Sequence, residues 1–114
     1  MYRRHVYVDA AKVTPDFIQS KWEVTQKPGA RFGSAAFVAG GLDTAKVRSE
    51  FTDKFQQLAV PVMVVIAENG PPKSTAEMEA LTELPGVESR VISGSLGRHE
   101  EKAEALANAI QSFI

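Results

Sequence analysis

Six consecutive apolar residues, Val62-Met63-Val64-Val65-Ile66-Ala67, constrain this chain more than any other feature. The run is introduced by Val60-Pro61 and closed by Asn69-Gly70-Pro71-Pro72, so it has the length and punctuation of a strand. Its apolar side chains fall on both alternating faces, as in a strand covered by layers on either side. Such a strand needs neighbours along its edges as well as cover on its faces, because an unpaired apolar edge invites association.

The rest of the chain offers few neighbours. Val87 to Ile92 reads as a second strand, with Glu88 and Arg90 alternating with Val87, Ser89 and Val91, so it is less buried and nearer an edge. His5 to Val8 is a short strand or an extended lead-in. Helices fill the remainder. Thr14-Pro15-Asp16 combines a hydroxyl N-cap, a proline at the first helical position and an acid near the positive dipole end, and the helix runs to Pro28-Gly29. Phe17, Ile18, Lys21 and Trp22 lie on it. Ala30 to Ala39 makes a short helix ending at Gly40-Gly41. Asp43 is placed to cap a third, with Val47, Phe51, Phe55 and Leu58 as its apolar stripe. Ser74-Thr75-Ala76-Glu77 has the form of a capping box for a helix with Met78, Leu81 and Leu84 inward, stopped by Pro85-Gly86. The last helix carries Ala103, Leu106, Ala107, Ile110 and Phe113 on one face. The predicted order is a helical segment over 1–59 followed by β-α-β-α over 60–114. The crossover makes the two strands parallel, which is an α/β arrangement.

Composition narrows the function classes. The chain has 114 residues, enough for one modest core, and a formal net charge of −1, which argues against a broad nucleic-acid surface. It has no cysteine and only His5 and His99 as histidines, so metal-ligand spacings are absent. No Gly-x-Gly-x-x-Gly or phosphate-binding loop motif points to a nucleotide cofactor. No apolar run nears the roughly 18 residues that span a bilayer, and the basic start at Met1-Tyr2-Arg3-Arg4-His5 is not followed by an apolar signal core. The expectation is a cytoplasmic protein without metal, cofactor, nucleic-acid or membrane partner.

Three places could carry chemistry. His99 follows a strand and a tight turn at a helix start, which is the carboxyl end of a parallel sheet, where α/β proteins place their sites. The positive helix end favours the neutral imidazole that a general base requires; a solvated histidine beside a cap is the plainer reading. Glu68 follows the apolar strand directly and could orient a histidine on the next strand's loop; an exposed loop acid is the alternative. Ser93-Gly94-Ser95-Leu96-Gly97-Arg98 imitates a nucleophile elbow with its first glycine replaced by serine, or an anion nest completed by Arg98, or simply a turn needing positive φ. Glu100 and Glu101 read as solvated, dipole-compensating acids. Trp22, Phe17 and Phe32 read as packing residues in place of a stacking platform.

Val60 through Pro72 resembles the penultimate core strand and following loop of the α/β-hydrolase fold. Pro85-Gly86-Val87-Glu88 through Gly94-Ser95-Leu96-Gly97-Arg98-His99-Glu100-Glu101 resembles its last strand, histidine loop and closing helix, and Thr14 to Leu58 resembles the inserted cap. Haloalkane-dehalogenase-like members are nearest in pattern. The resemblance implies that His99 is the base of a catalytic triad acting on a small-molecule substrate. It also implies that the chain is the C-terminal part of a longer fold, whose nucleophile elbow and oxyanion loop would lie elsewhere. No Gly-x-Ser-x-Gly occurs here, and the usual aspartate of the loop after the penultimate strand is missing, leaving Glu68 as the substitute acid. Two readings are therefore expected to compete. One is an incomplete hydrolase, inactive alone. The other is an interaction module whose exposed sheet edge pairs with a complementing N-terminal part or a second copy. A small anion-binding module at Gly94–Arg98 is a third.

Overall fold

Two parallel strands, β1 (Val62–Ala67) and β2 (Val87–Ile92), form the sheet, paired in register from Val62 opposite Val87 to Ala67 opposite Ile92. The structure is a computed structural model that describes residues 6–43 and 45–114. The other described elements are a short 3-10 turn (Ala10–Lys12) and six helices: α1 (Pro15–Thr25), α2 (Ala30–Val38), α3 (Arg48–Gln56), α4 (Pro72–Thr82), the single turn α5 (Arg98–Glu101) and α6 (Ala103–Phe113). Mixed helices and a two-stranded parallel sheet make this a small α/β arrangement. Among the described residues no helix is long and apolar enough to cross a membrane.

The chain divides into two compact units, Thr14–Gln57 and Leu58–Ile114, the latter joined by the segment that ends at Val13. The expected grouping of residues 1–59 is corrected here. The segment before Thr14 goes with the strands, because Tyr7 and Val13 are buried with Ile66, Ala67 and Ile92 as the only buried apolar residues described.

In the strand unit, α4 connects the parallel strands and packs on β1 and β2, and α6 packs on β2. The capping box does not form. Pro72, with φ already fixed for a helix, starts α4 three residues earlier, so Ser74 lies inside the first turn and the N-cap is Pro71 with no side-chain bond. Met78, Leu81 and Leu84 are half-buried as expected. The closing helix is two pieces, broken at Lys102 (φ −129°, ψ 39°), and its covered stripe is Leu106, Ala109 and Phe113; Ala103, Ala107 and Ile110 are exposed. Val6–Val8 is not a strand, and His5 lies outside the described residues. β1 is half-buried over Val62–Val65 and buried only at Ile66 and Ala67, so the full two-sided cover that its composition suits is not reached. β2 is exposed along its middle, Val91 to 67%, and its Glu88–Arg90 ion pair at 3.1 Å is a surface contact of little worth.

In the helical unit, Thr14 Oγ1 caps α1 by accepting from Phe17 N at 3.1 Å. Gly29 (φ 77°) turns the chain into α2, and α1 and α2 touch. Asp43 caps nothing; α3 begins after Val47, and the Glu50 carboxylate instead accepts from Lys46 N at 2.9 Å. No residue of these helices is buried, and the expected packing residues Trp22 and Phe32 are 57% and 77% exposed. The stripe on α3 shows local contact only, with the Phe51 and Phe55 rings 5.9 Å apart.

Glu50 has its carboxyl held below its ordinary range, first by the Lys54 ammonium at 2.6 Å and then by the Lys46 amide. A depressed carboxylate stabilises the fold above its unfolded pKa and loses that contribution as pH falls through the folded value. NMR titration is expected to place Glu50 below the ordinary glutamate value, and Lys54→Ala to move it back up.

Candidate functional site

The carboxyl ends of β1 and β2 are zipped together beyond the strands themselves. Glu68 N donates to Ile92 O at 3.0 Å and Asn69 N to Gly94 O at 2.9 Å, so the loops that follow the two strands remain side by side. Gly94, at φ 114°, makes the turn that a residue with a side chain would resist. Arg98 N then bonds Ser95 O at 3.2 Å and α5 begins, which places His99 one residue into its single turn.

The N-terminal segment closes over this turn. Gly97 N donates to Val6 O at 2.6 Å, the Tyr7 hydroxyl donates to Glu100 Oε2, and Asp9 N donates to Glu101 Oε1 at 2.7 Å. The Tyr7 ring lies so close over Gly97 that a Cβ there would stand 2.5 Å from Cε1 and 2.9 Å from Val6 O. Glycine is needed at 97 for this approach, not for its φ of −85°. Glu101 Oε2 is buried beside Gly94 and finds no hydrogen-bond partner among the described groups. Glu100 and Glu101 thus have structural work that a reading as solvated acids does not contain.

The three places singled out in the sequence fare differently. His99 and Glu68 both lie at this end of the sheet and both are exposed, and neither makes a side-chain hydrogen bond or ion pair among the described residues. The elbow reading of Ser95 fails on access: the residue is 6% exposed, whereas a nucleophile elbow works by presenting its serine. The anion-nest reading meets two obstacles. The Arg98 guanidinium is directed to Val65 O, with Nη2 2.6 Å away, and the Glu101 carboxylate already stands beside Gly94. Among the described residues no group of three His, Asp or Glu side chains is gathered to hold a metal ion.

The clasp of Tyr7 and Asp9 on Glu100 and Glu101 escapes sequence reasoning. These partners are 93 and 92 residues apart, and no local period or motif joins them. The sole local trace is Gly97, a glycine whose conformation does not demand it.

Comparison with known proteins finds no matching family model, curated protein or solved structure.

The clasp generates a pair of opposed expectations. Gly97→Ala should lower stability by about 1–3 kcal/mol, because the added methyl has no room against the Tyr7 ring. Gly33→Ala, in the interior of α2 with nothing within 4 Å of the new methyl, should raise the stability of the helical unit by about 0.5–1 kcal/mol. Denaturant melts of the two variants read both signs.

Proposed function

We propose that this chain is the histidine-bearing end of an α/β-hydrolase-type sheet, with His99 as general base of a site completed by other strands. The observation that carries the reading is the placement of His99: exposed, on the first turn after the second of two parallel strands, at the carboxyl end of the sheet. Glu68, exposed at the same end of the neighbouring strand, supplies the acid that would orient it. In the completed site His99 takes the proton of a serine nucleophile as that serine attacks a small ester. It then activates the water that releases the acyl group. Were the nucleophile an aspartate, as in carbon–halogen cleavage, His99 would activate water only. No cofactor is called for in either course.

The chain alone is expected to be inert, since a base without nucleophile and oxyanion donors lacks most of the barrier lowering. With p-nitrophenyl acetate, the purified chain and His99→Ala should hydrolyse ester at the same background rate. Turnover that His99→Ala abolishes in this chain would show a complete site and overturn the inactivity. The positive arm is the product of the reading frame continued upstream of Met1. If it carries an elbow serine, its ester turnover should fall at least about a hundredfold in His99→Ala. A product with the serine and no His99 dependence would remove the assignment.

A second reading, a module that works by strand pairing, is favoured by the outer edge of β1, which no described strand covers.

A further inference from the structure

The direction of each main-chain group of β1 follows from one bond. In a parallel ladder the N–H and C=O of a residue point to the same side, and the side alternates along the strand. Glu68 N donates to Ile92 O, so Ile66 and Val64 also face β2. Met63, Val65 and Ala67 therefore turn their N–H and C=O groups to the other edge, where no described strand pairs with them, although Ala67 O already accepts from Gly70 N at 3.1 Å. The side chain of Arg98 reaches this edge from α5 and donates through Nη2 to Val65 O at 2.6 Å. Arg98 is half-buried and Val65 is the central residue of the three.

We propose that the outer edge of β1 is a docking surface for the same edge of a second copy, and that Arg98 holds it closed. Two identical edges related by a twofold axis pair antiparallel. With the axis at Val65, each Val65 bonds its counterpart through both main-chain groups, and each Met63 faces the other copy's Ala67. Every outward group of β1 is then satisfied. The strand VMVVIA has no charge, proline or bulge to oppose this pairing, the features by which edge strands ordinarily avoid one another. The Arg98 contact supplies that opposition from outside the strand, and at the one residue through which the axis passes. Both copies must release their Arg98 before the central bonds form, so the guanidinium sets how readily copies pair. The strands that would complete a hydrolase sheet would pair with this same edge, so the inference rests on the strand-pairing reading; its readout is association, which is separate from the His99 dependence that tests the hydrolase reading.

Sedimentation velocity across a concentration series tests it. Arg98→Met keeps an unbranched apolar stem and removes the donors; it should lower the dimer dissociation constant at least about tenfold, and Arg98→Lys should stay near wild type. Val65→Pro, added to Arg98→Met, should restore the monomer. The Val65 N–H faces outward, so proline there removes an edge donor without touching the β1–β2 ladder. Gly86→Ala, strained at φ 79° in the turn before β2, is the control for association through unfolding and should leave the oligomeric state unchanged. Should Arg98→Met not fold, Arg98→Leu takes its place. Equal dissociation constants for wild type and the folded Arg98 variant overturn the proposal. So does association that persists with Val65→Pro, or association that Gly86→Ala reproduces.

Discussion

The parallel pairing of β1 with β2, prolonged by the Glu68–Ile92 and Asn69–Gly94 bonds, is the constraint from which the rest of the strand unit follows. It fixes where the chain leaves each strand. The turn through Gly94 can then bring Gly97 beneath Tyr7, Arg98 to the edge of β1 and the Glu100–Glu101 pair within reach of the N-terminal segment. Three of the five buried apolar residues, Ile66, Ala67 and Ile92, lie at this end of the ladder, and Tyr7 lies in the segment that closes over it. The opposite end, at Val62 and Val87, is half-buried. Cohesion is thus concentrated at the carboxyl end of the sheet, where α/β proteins place their sites and where His99 and Glu68 stand exposed.

How much of this is legible in the sequence depends on whether its cause is local. The strand Val62–Ala67, its parallel partner, the crossover helix and the Thr14 cap all rest on periodicity or on groups within a few residues, and all are present. Sequence and structure part where two local signals compete. Pro72 and the Ser74–Glu77 box both mark a helix start. The proline wins because its φ is set before any side-chain bond can form. Asp43 has the right chemistry for a cap but stands five residues before α3, too far for its carboxylate to reach the first free amides. The stripe on the last helix is visible in apolar spacing alone. Which part of it is covered depends on α6 meeting β2, a contact between elements that spacing does not encode. The clasp on Glu100 and Glu101 joins residues more than ninety apart, and a single sequence carries no signal for it.

The helical unit shows the limit of patterning from another side. Its helices form from good local signals, yet none buries a residue, and Trp22, Phe32 and Phe37 remain largely exposed. Helices of nine to eleven residues are marginal by themselves and draw most of their stability from packing of an apolar face. Apolar stripes without cover therefore define a unit that is locally specified but weakly held.

The two edges of the sheet are not equivalent, and the difference sets the direction in which it can grow. The outer edge of β2 belongs to a strand with Glu88 and Arg90 in its middle, and Arg90 Nη1 donates to Ser89 O at 2.8 Å, covering a carbonyl of that edge from within the strand. Charges and self-covering of this kind are how terminal strands stay terminal. β1 carries no charge, and its described cover is Arg98 on Val65 O, supplied by an element beyond β2, together with Gly70 N on Ala67 O at 3.1 Å. A contact made by one flexible side chain can be exchanged for main-chain bonds, whereas the polarity of β2 is part of the strand. On the strand-pairing proposal, the sheet would therefore grow at β1 and not at β2. A strand arriving there would add burial to Val62–Val65, the half-covered part of the most apolar run in the chain. Binding at that edge and stability of the strand unit are then linked, because any partner that prefers the folded edge raises the free energy of unfolding it.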